Sequence, residues 1–294
     1  MPPAVHLRNA VALTGRFPAL AGVDLAVEAG TVVVLEGANG AGKTSLLRVC
    51  AGLLPVTSGS VTVLGCDLRR DRTAVRRRVG MLGHAAALYD DLTLVENVRF
   101  AVRASGGDQR GVDAVLERLD LAGRLRRTAV GRLSAGQRRR VDLAALVARR
   151  PELWLLDEPH ASLDVAGREL VDTVVRDAAA AGATVLVASH ELQTVAPLAD
   201  QVVTVAGGRL VERWSPSGDA AVGAFVAGDS PAGITRAGDV AVGVATAVEP
   251  PGAVSSASGM VPGEAGLPAG PAARIEPAGP AARAGRGETG AHVA

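Results

Sequence analysis

Thr31-Val32-Val33-Val34-Leu35, then Glu36, then Gly37-Ala38-Asn39-Gly40-Ala41-Gly42-Lys43-Thr44 is the stretch on which the fold turns. The opening run is β-branched apart from its last leucine, the composition of a short buried strand. The residues from Gly37 to Thr44 fit G-x-x-x-x-G-K-[ST], and Lys43 to Ala51 reads as a helix. A glycine loop between a strand and a helix is the context in which this spacing cradles phosphate. The glycines let the backbone curl until its N–H groups face an anion, and the helix N-terminus adds partial positive charge. Lys43 would reach the β- and γ-phosphates of a nucleoside triphosphate, and the Thr44 hydroxyl would ligate Mg²⁺. Ser45 completes the candidate binding loop with Gly37, Ala38, Asn39, Gly40, Ala41 and Gly42. The chain holds 30 Arg and a single Lys, and that lysine is Lys43. Arg is a planar fork and Lys a compact point charge, so the count marks a position where the two are not interchangeable.

Working outward, Leu153-Trp154-Leu155-Leu156 is a second apolar run, and it ends in Asp157-Glu158. A strand that terminates there delivers two carboxylates to the carboxyl end of a sheet, beside the phosphate loop. Asp157 would hold Mg²⁺ through its water shell, and Glu158 would polarise the attacking water as general base. Taken alone, Asp157-Glu158 also suits the capping of a following helix. Val165 to Ala180 reads as a crossover helix leading to the strand Ala183 to Ala188, so the sheet is expected to be parallel and covered on both faces. Strands are expected at Val5 to Leu13, Val23 to Val27 and Ser60 to Leu64. Val202 to Val205 and Arg209 to Arg213 flank Gly207-Gly208 as a closing hairpin. From Leu92 to Arg150 the period is helical. Val112, Val115, Leu116 and Leu119 share one face, and Val141, Ala144, Ala145 and Ala148 another.

Composition narrows the function. The 294 residues are 48% hydrophobic, ample for a buried core. The 31 basic and 30 acidic residues leave a formal charge of +1, which gives no basic surface for nucleic acid. Aromatic residues are only 2%, too few for a single-strand stacking platform. Cys50 and Cys66 form no disulfide framework. No basic segment followed by an apolar run opens the chain, so no signal peptide is expected, and no run reaches the length of a membrane span. The expected location is cytosolic, with any spanning done by a partner.

The two phosphate-site motifs establish a nucleoside triphosphatase and nothing finer. A third motif is more specific. Leu133-Ser134-Ala135-Gly136-Gln137 opens a helical stretch, with Ser134 standing 23 residues before Asp157. Here the chain resembles the ATP-binding cassette (ABC) family, whose LSGGQ signature it matches except at Ala135. Ala161-Ser162-Leu163-Asp164 is similar to the family's D-loop, and Ser189-His190 to its switch histidine. The resemblance covers about residues 4 to 213. It implies an α/β P-loop NTPase fold of the ABC type, a mixed sheet core with a helical subdomain at about 84–150. It further implies ATP and Mg²⁺ as cofactors and a head-to-tail homodimer. In such a dimer Ser134, Gly136 and Gln137 of one copy close over the γ-phosphate held by the other, Asp164 lies at the interface, and His190 contacts the γ-phosphate. The partner implied is a separately encoded membrane permease, which places the subunit on the cytoplasmic face of the cell membrane. A soluble family member acting on ribosomes or DNA is the alternative; the single cassette without a long insertion does not favour it.

Two departures from the family pattern stand out. Where members carry a glutamine after Val79-Gly80-Met81-Leu82-Gly83, this chain has His84. The upstream adenine-stacking aromatic has only Phe17 as a candidate, at a short offset from Ala19-Leu20. Gly83-His84, Ala135 and Trp154, with Leu92-Thr93-Leu94-Val95-Glu96-Asn97 nearby, resemble the ATP-binding subunit of the haem exporter of cytochrome c maturation (CcmA-type). Drug and polysaccharide exporters share the Leu92–Asn97 pattern. The ATP-binding domain is therefore expected over 1–214. An Ala/Gly/Pro-rich tail over 215–294, with Phe225 its one aromatic residue, is expected to be disordered.

Overall fold

The computed structural model describes residues 2–84 and 87–216. From residue 217 onward the expected tail lies outside the described residues, as do Ala85 and Ala86. The chain begins with two long strands, β1 (Val5–Thr14) and β2 (Phe17–Val27), then β3 (Val32–Glu36) and the helix α1 (Lys43–Cys50). Next come β4 (Ser58–Val63), β5 (Cys66–Asp67) and β6 (Val79–Leu82). The helices α2 (Leu94–Ala104), α3 (Val112–Arg118) and α4 (Ala135–Arg149) follow. The remainder alternates: β7 (Leu153–Asp157), α5 (Val165–Ala180), β8 (Thr184–Ala188), α6 (Leu192–Val195), β9 (Gln201–Ala206) and β10 (Arg209–Trp214).

These strands make two sheets. One has the order β10-β9-β3-β8-β7-β6, and its β9, β3, β8, β7 and β6 run parallel while β10 returns antiparallel. The other, β2-β1-β4-β5, is antiparallel throughout. Alternation along each parallel strand sends side chains to two cores. Val33, Leu35, Leu153, Leu155 and Leu186 pack with Leu46, Leu47 and Val49 of α1 and with the inner face of the antiparallel sheet. Val34, Trp154, Leu156, Val185 and Val187 pack instead with Leu94 and Val98 of α2, Leu116 of α3, Val141 of α4 and Val171 of α5. Both faces are covered, which is why β7 and β8 are buried along their whole length.

This topology brings the functional segments together. Glu36, Leu82, Asp157 and Ala188 are the carboxyl ends of β3, β6, β7 and β8. The loops that leave them carry Gly37 to Gly42, Gly83-His84, Glu158 and Ser189-His190, all at one edge of one sheet. Pairing continues past the strand ends, as the Glu158 N–H donates to Ala188 O at 2.9 Å and the Ser189 N–H to Leu35 O at 3.1 Å. Among the described residues no helix is long and apolar enough to cross a membrane.

Candidate nucleotide-binding and hydrolysis site

At the carboxyl edge of the parallel strands lies an open cleft of about 720 Å³. Asn39 to Ser45 form its floor, Asp157, Glu158, His84 and His190 one side, and Pro18, Ala19, Gly207 and Gly208 the other. Two glycines shape the floor. Gly37 has φ +146°, and a Cβ there would sit 2.2 Å from Val205 O. Gly42 has φ +113°, and its Cβ would sit 2.8 Å from Ala19 O. Only glycine lets the loop turn this close to the neighbouring backbone. Gly42 is also the N-cap of α1, and no side chain caps that helix. Its first-turn N–H groups therefore face the cleft.

Lys43 is nearly buried, at 7% exposure, and its Nζ donates to Gly37 O at 2.6 Å and Ala38 O at 3.2 Å. The ammonium thus closes the loop on itself and points its remaining hydrogen-bonding capacity into the space the loop encircles. Thr44 Oγ1 donates to the Asp157 carboxylate, lying 3.0 and 2.9 Å from its two oxygens. A hydroxyl beside a carboxylate is a pair of hard oxygen ligands of the kind Mg²⁺ takes.

Glu158 has a left-handed backbone, φ +49°, unusual for a residue with a Cβ and costing about 1–3 kcal/mol. That conformation turns its side chain toward β8. The Glu158 carboxylate accepts from Ser189 Oγ at 3.4 Å, and its other oxygen lies 2.8 Å from His190 Nδ1. Sequence reasoning aims His190 at a phosphate; in the structure it lies against Glu158, and both remain on the cleft wall.

The signature residues lie elsewhere on the surface. Ser134 is the N-cap of α4 and forms a reciprocal capping box with Gln137: the Gln137 N–H donates to Ser134 Oγ at 3.2 Å, and the Ser134 N–H to Gln137 Oε1 at 3.0 Å. Gly136 approaches the backbone closely, since a Cβ there would meet Ser162 O at 3.2 Å. Asp164 caps α5, accepting from the Gly167 N–H at 2.8 Å. None of Ser134, Gly136, Gln137 and Asp164 lines the cleft that holds Lys43. Ser134 and Asp164 are exposed, free to face a second molecule. Phe17 is 79% exposed at the start of β2, and its neighbours Pro18 and Ala19 line the cleft in its place.

Sequence reasoning missed two buried polar groups behind the site. Arg139 on α4 is 6% exposed and donates to the backbone carbonyls of Gly83, Asp157, Glu158 and Pro159. Burial pulls its guanidinium below its ordinary pKa, an effect the charges of Asp142, Asp157 and Glu158 oppose. His160, also buried, holds Asp172 of α5 through Nε2 at 2.8 Å. Arg139 was legible in principle, because its spacing to Leu143 and Leu146 puts it on the apolar side of α4. His160 gave no such signal.

Comparison with known proteins agrees with this geometry. A family model described as ABC transporter matches residues 20–161. The chain is 41% identical over 212 residues to a daunorubicin resistance ATP-binding protein of Streptomyces coeruleorubidus, covering 71% of this chain and 67% of that one. It is 44% identical over 161 residues to the cytochrome c biogenesis ATP-binding export protein CcmA of Paraburkholderia xenovorans, covering 49% and 71%. A putative ABC transporter ATP-binding protein of Halobacterium salinarum is 38% identical over 218 residues, covering 72% of this chain and 94% of that one. Among solved structures, an ATP-binding subunit of an ABC transporter superposes with a TM-score of 0.68 at 25% identity, covering 73% and 90%. A dimeric ATP-binding cassette in a post-hydrolysis state bound to ADP and Pi shares the fold, with a TM-score of 0.66 at 24% identity over 72% and 98%. With a phosphate loop, an acidic strand end and a signature helix set in this fold, the chain belongs to the ABC transporter family, as an ATP-binding subunit with ATPase activity.

Proposed function

We propose that this subunit hydrolyses ATP as a head-to-tail homodimer at the cytoplasmic face of a membrane and energises export through a separately encoded permease. One observation carries the reading. Lys43 and Thr44 share a cleft with the Glu158–His190 pair, while Ser134 and Gly136 lie outside it on the exposed start of α4. Half of a site is assembled here, and a second copy supplies the other half. On binding, the Lys43 ammonium exchanges the carbonyls of Gly37 and Ala38 for β- and γ-phosphate oxygens, and the N–H groups of Asn39 to Ser45 hold the rest of the phosphate chain. Thr44 and Asp157 would hold Mg²⁺, which neutralises phosphate charge when bound. The Glu158 carboxylate takes a proton from the attacking water, and His190 keeps that carboxylate oriented. The Ser134 hydroxyl and the α4 N-terminus of the second copy then meet the γ-phosphate.

For the permease contact, support comes from the segment after His84. Tyr89 and Phe100 stack edge to face with ring centroids 5.1 Å apart and are 54% and 46% exposed. Asn97 fixes the loop beneath them: it accepts from the Tyr89 N–H and donates to the carbonyls of Tyr89, Leu92 and Thr93. An exposed aromatic pair on a pinned loop suits a protein contact. Charge placed at Tyr89 should uncouple transport from hydrolysis and leave ATP binding intact; lost ATP binding would contradict the assignment.

For the cargo, His84, Ala135 and the 44% identity to CcmA favour haem export for cytochrome c biogenesis. Trp154, the other residue of that resemblance, is buried with its Nε1 donating to Pro151 O at 3.1 Å, so it supports the strand rather than touching cargo. The 41% identity over 212 residues to a daunorubicin resistance protein favours drug export as the second reading. Mild detergent extraction followed by mass spectrometry of co-eluting proteins separates them. Haem-handling proteins with a small permease support the first, a drug-type permease supports the second, and no membrane partner overturns the transporter assignment.

A further inference from the structure

Arg139 stands five residues after Ser134 on α4, 6% exposed, with the carboxylates of Asp142, Asp157 and Glu158 near enough to act on its charge. Burying a guanidinium is unfavourable unless its donors are used, and here they are. Nη2 donates to Asp157 O at 2.8 Å and to Glu158 O at 2.6 Å. Nε donates to Pro159 O at 3.4 Å, and Nη1 to Gly83 O. The two carbonyls on Nη2 belong to the peptide groups on either side of the Glu158 Cα. One nitrogen therefore holds both planes whose rotation sets the Glu158 backbone. That backbone is the left-handed one, φ +49°, which persists only when its surroundings impose it. The same guanidinium grips the residue before His84.

We propose that Arg139 is a positioning residue for hydrolysis, fixing the backbone of Glu158 to the helix begun by Ser134 and to the Gly83-His84 loop. The inference rests on the general-base reading of Glu158. Its consequence is mechanical. A shift of α4, whether from a second copy closing on Ser134 or from a permease pressing on the His84 loop, moves the carbonyls that aim the carboxylate. A flexible lysine with three donors on one atom cannot span four carbonyls in two loops, so the function needs the planar fork.

The test uses the full chain with Arg139→Gln and Arg139→Lys, each followed by nucleotide binding, ATP turnover and thermal unfolding. A misplacement of the carboxylate by about 1 Å should lower kcat by about 100-fold. ATP affinity should stay unchanged, because the Lys43 loop is untouched. Arg139→Lys should fall between. In combination with Glu158→Gln, Arg139→Gln should lower turnover no further than Glu158→Gln alone, since Arg139 acts only through that carboxylate. A folded Arg139→Gln protein with wild-type kcat, beside an inactive Glu158→Gln, overturns the inference and leaves the general base standing. Losses that multiply in the double variant overturn it as well. Full turnover in Glu158→Gln alone overturns the general-base reading itself. Where Arg139→Gln does not fold, Arg139→Lys and its combination with Glu158→Gln decide between the same outcomes.

Discussion

Replacing Asp142 by Asn should make the stability of this protein less dependent on pH, and the size of the effect follows from the structure. Asp142 lies on the buried side of α4 at 9% exposure, in a small cleft with Met81, Leu88, Phe100, Leu146 and Arg149. Burial pushes its carboxyl up to about 6 from an ordinary 3.8, and attraction to Arg139 offsets only part of this. A raised carboxyl pKa means that the folded chain holds a proton that the unfolded chain has released. The Asp142 contribution to stability therefore falls as pH rises from 3.8 to about 6 and is level above that. At about 1.4 kcal/mol per pH unit the full loss is of order 3 kcal/mol. Of this, roughly 2 kcal/mol falls between about pH 4.5 and about pH 7.5. The amide of Asp142→Asn cannot ionise, so that variant should gain this amount on the wild type across the interval, whatever the amide does to packing. Urea midpoints measured at both pH values give the difference directly, since any constant offset cancels. A gap between the two proteins that is the same at both pH values would mean that burial does not raise the Asp142 carboxyl, which would then titrate like an exposed carboxylate.

Other expectations concern the two halves of the site. Lys43→Ala removes a nearly buried ammonium from the phosphate loop. A charge-assisted contact is worth about 1.5–3 kcal/mol, so ATP affinity in equilibrium titration should fall about 10- to 100-fold. Ser134→Ala removes the N-cap of α4 and should cost about 1 kcal/mol in urea unfolding. It should reduce turnover further at protein concentrations where the dimer forms. Turnover loss that does not vary with concentration would count against a contact across the dimer.

The residues read most easily in the sequence are those whose geometry is local. Gly37 to Thr44 lie in one turn and one helix start, so their spacing carries their geometry. Asp157 and Glu158 end an apolar run, and the run itself places them at the sheet edge. The helix expected at Val165 to Ala180 has those same bounds in the structure. The antiparallel sheet was less legible. Its β5 has only Cys66 and Asp67, and β4 joins β1 across about fifty residues of chain, a pairing that no local pattern encodes. Within the run Arg138-Arg139-Arg140, only the spacing of Arg139 to Leu143 and Leu146 sets it apart. Arg138 does pair with Asp90 and Arg140 with Asp120 at the surface, whereas Arg139 turns inward to four carbonyls. The contact of His190 with Glu158 depends on a left-handed backbone at Glu158, which the sequence does not mark.

Glu158 performs the chemistry on ATP held by Lys43 and Thr44 in the function proposed above. The most direct test is steady-state ATP turnover of the full chain carrying Glu158→Gln, with size-exclusion chromatography in ATP alongside. Loss of a general base should lower turnover by about 10²- to 10⁴-fold. Binding should survive, so an ATP-bound dimer should accumulate. Turnover at the wild-type rate, with no dimer trapped, would remove Glu158 from the mechanism.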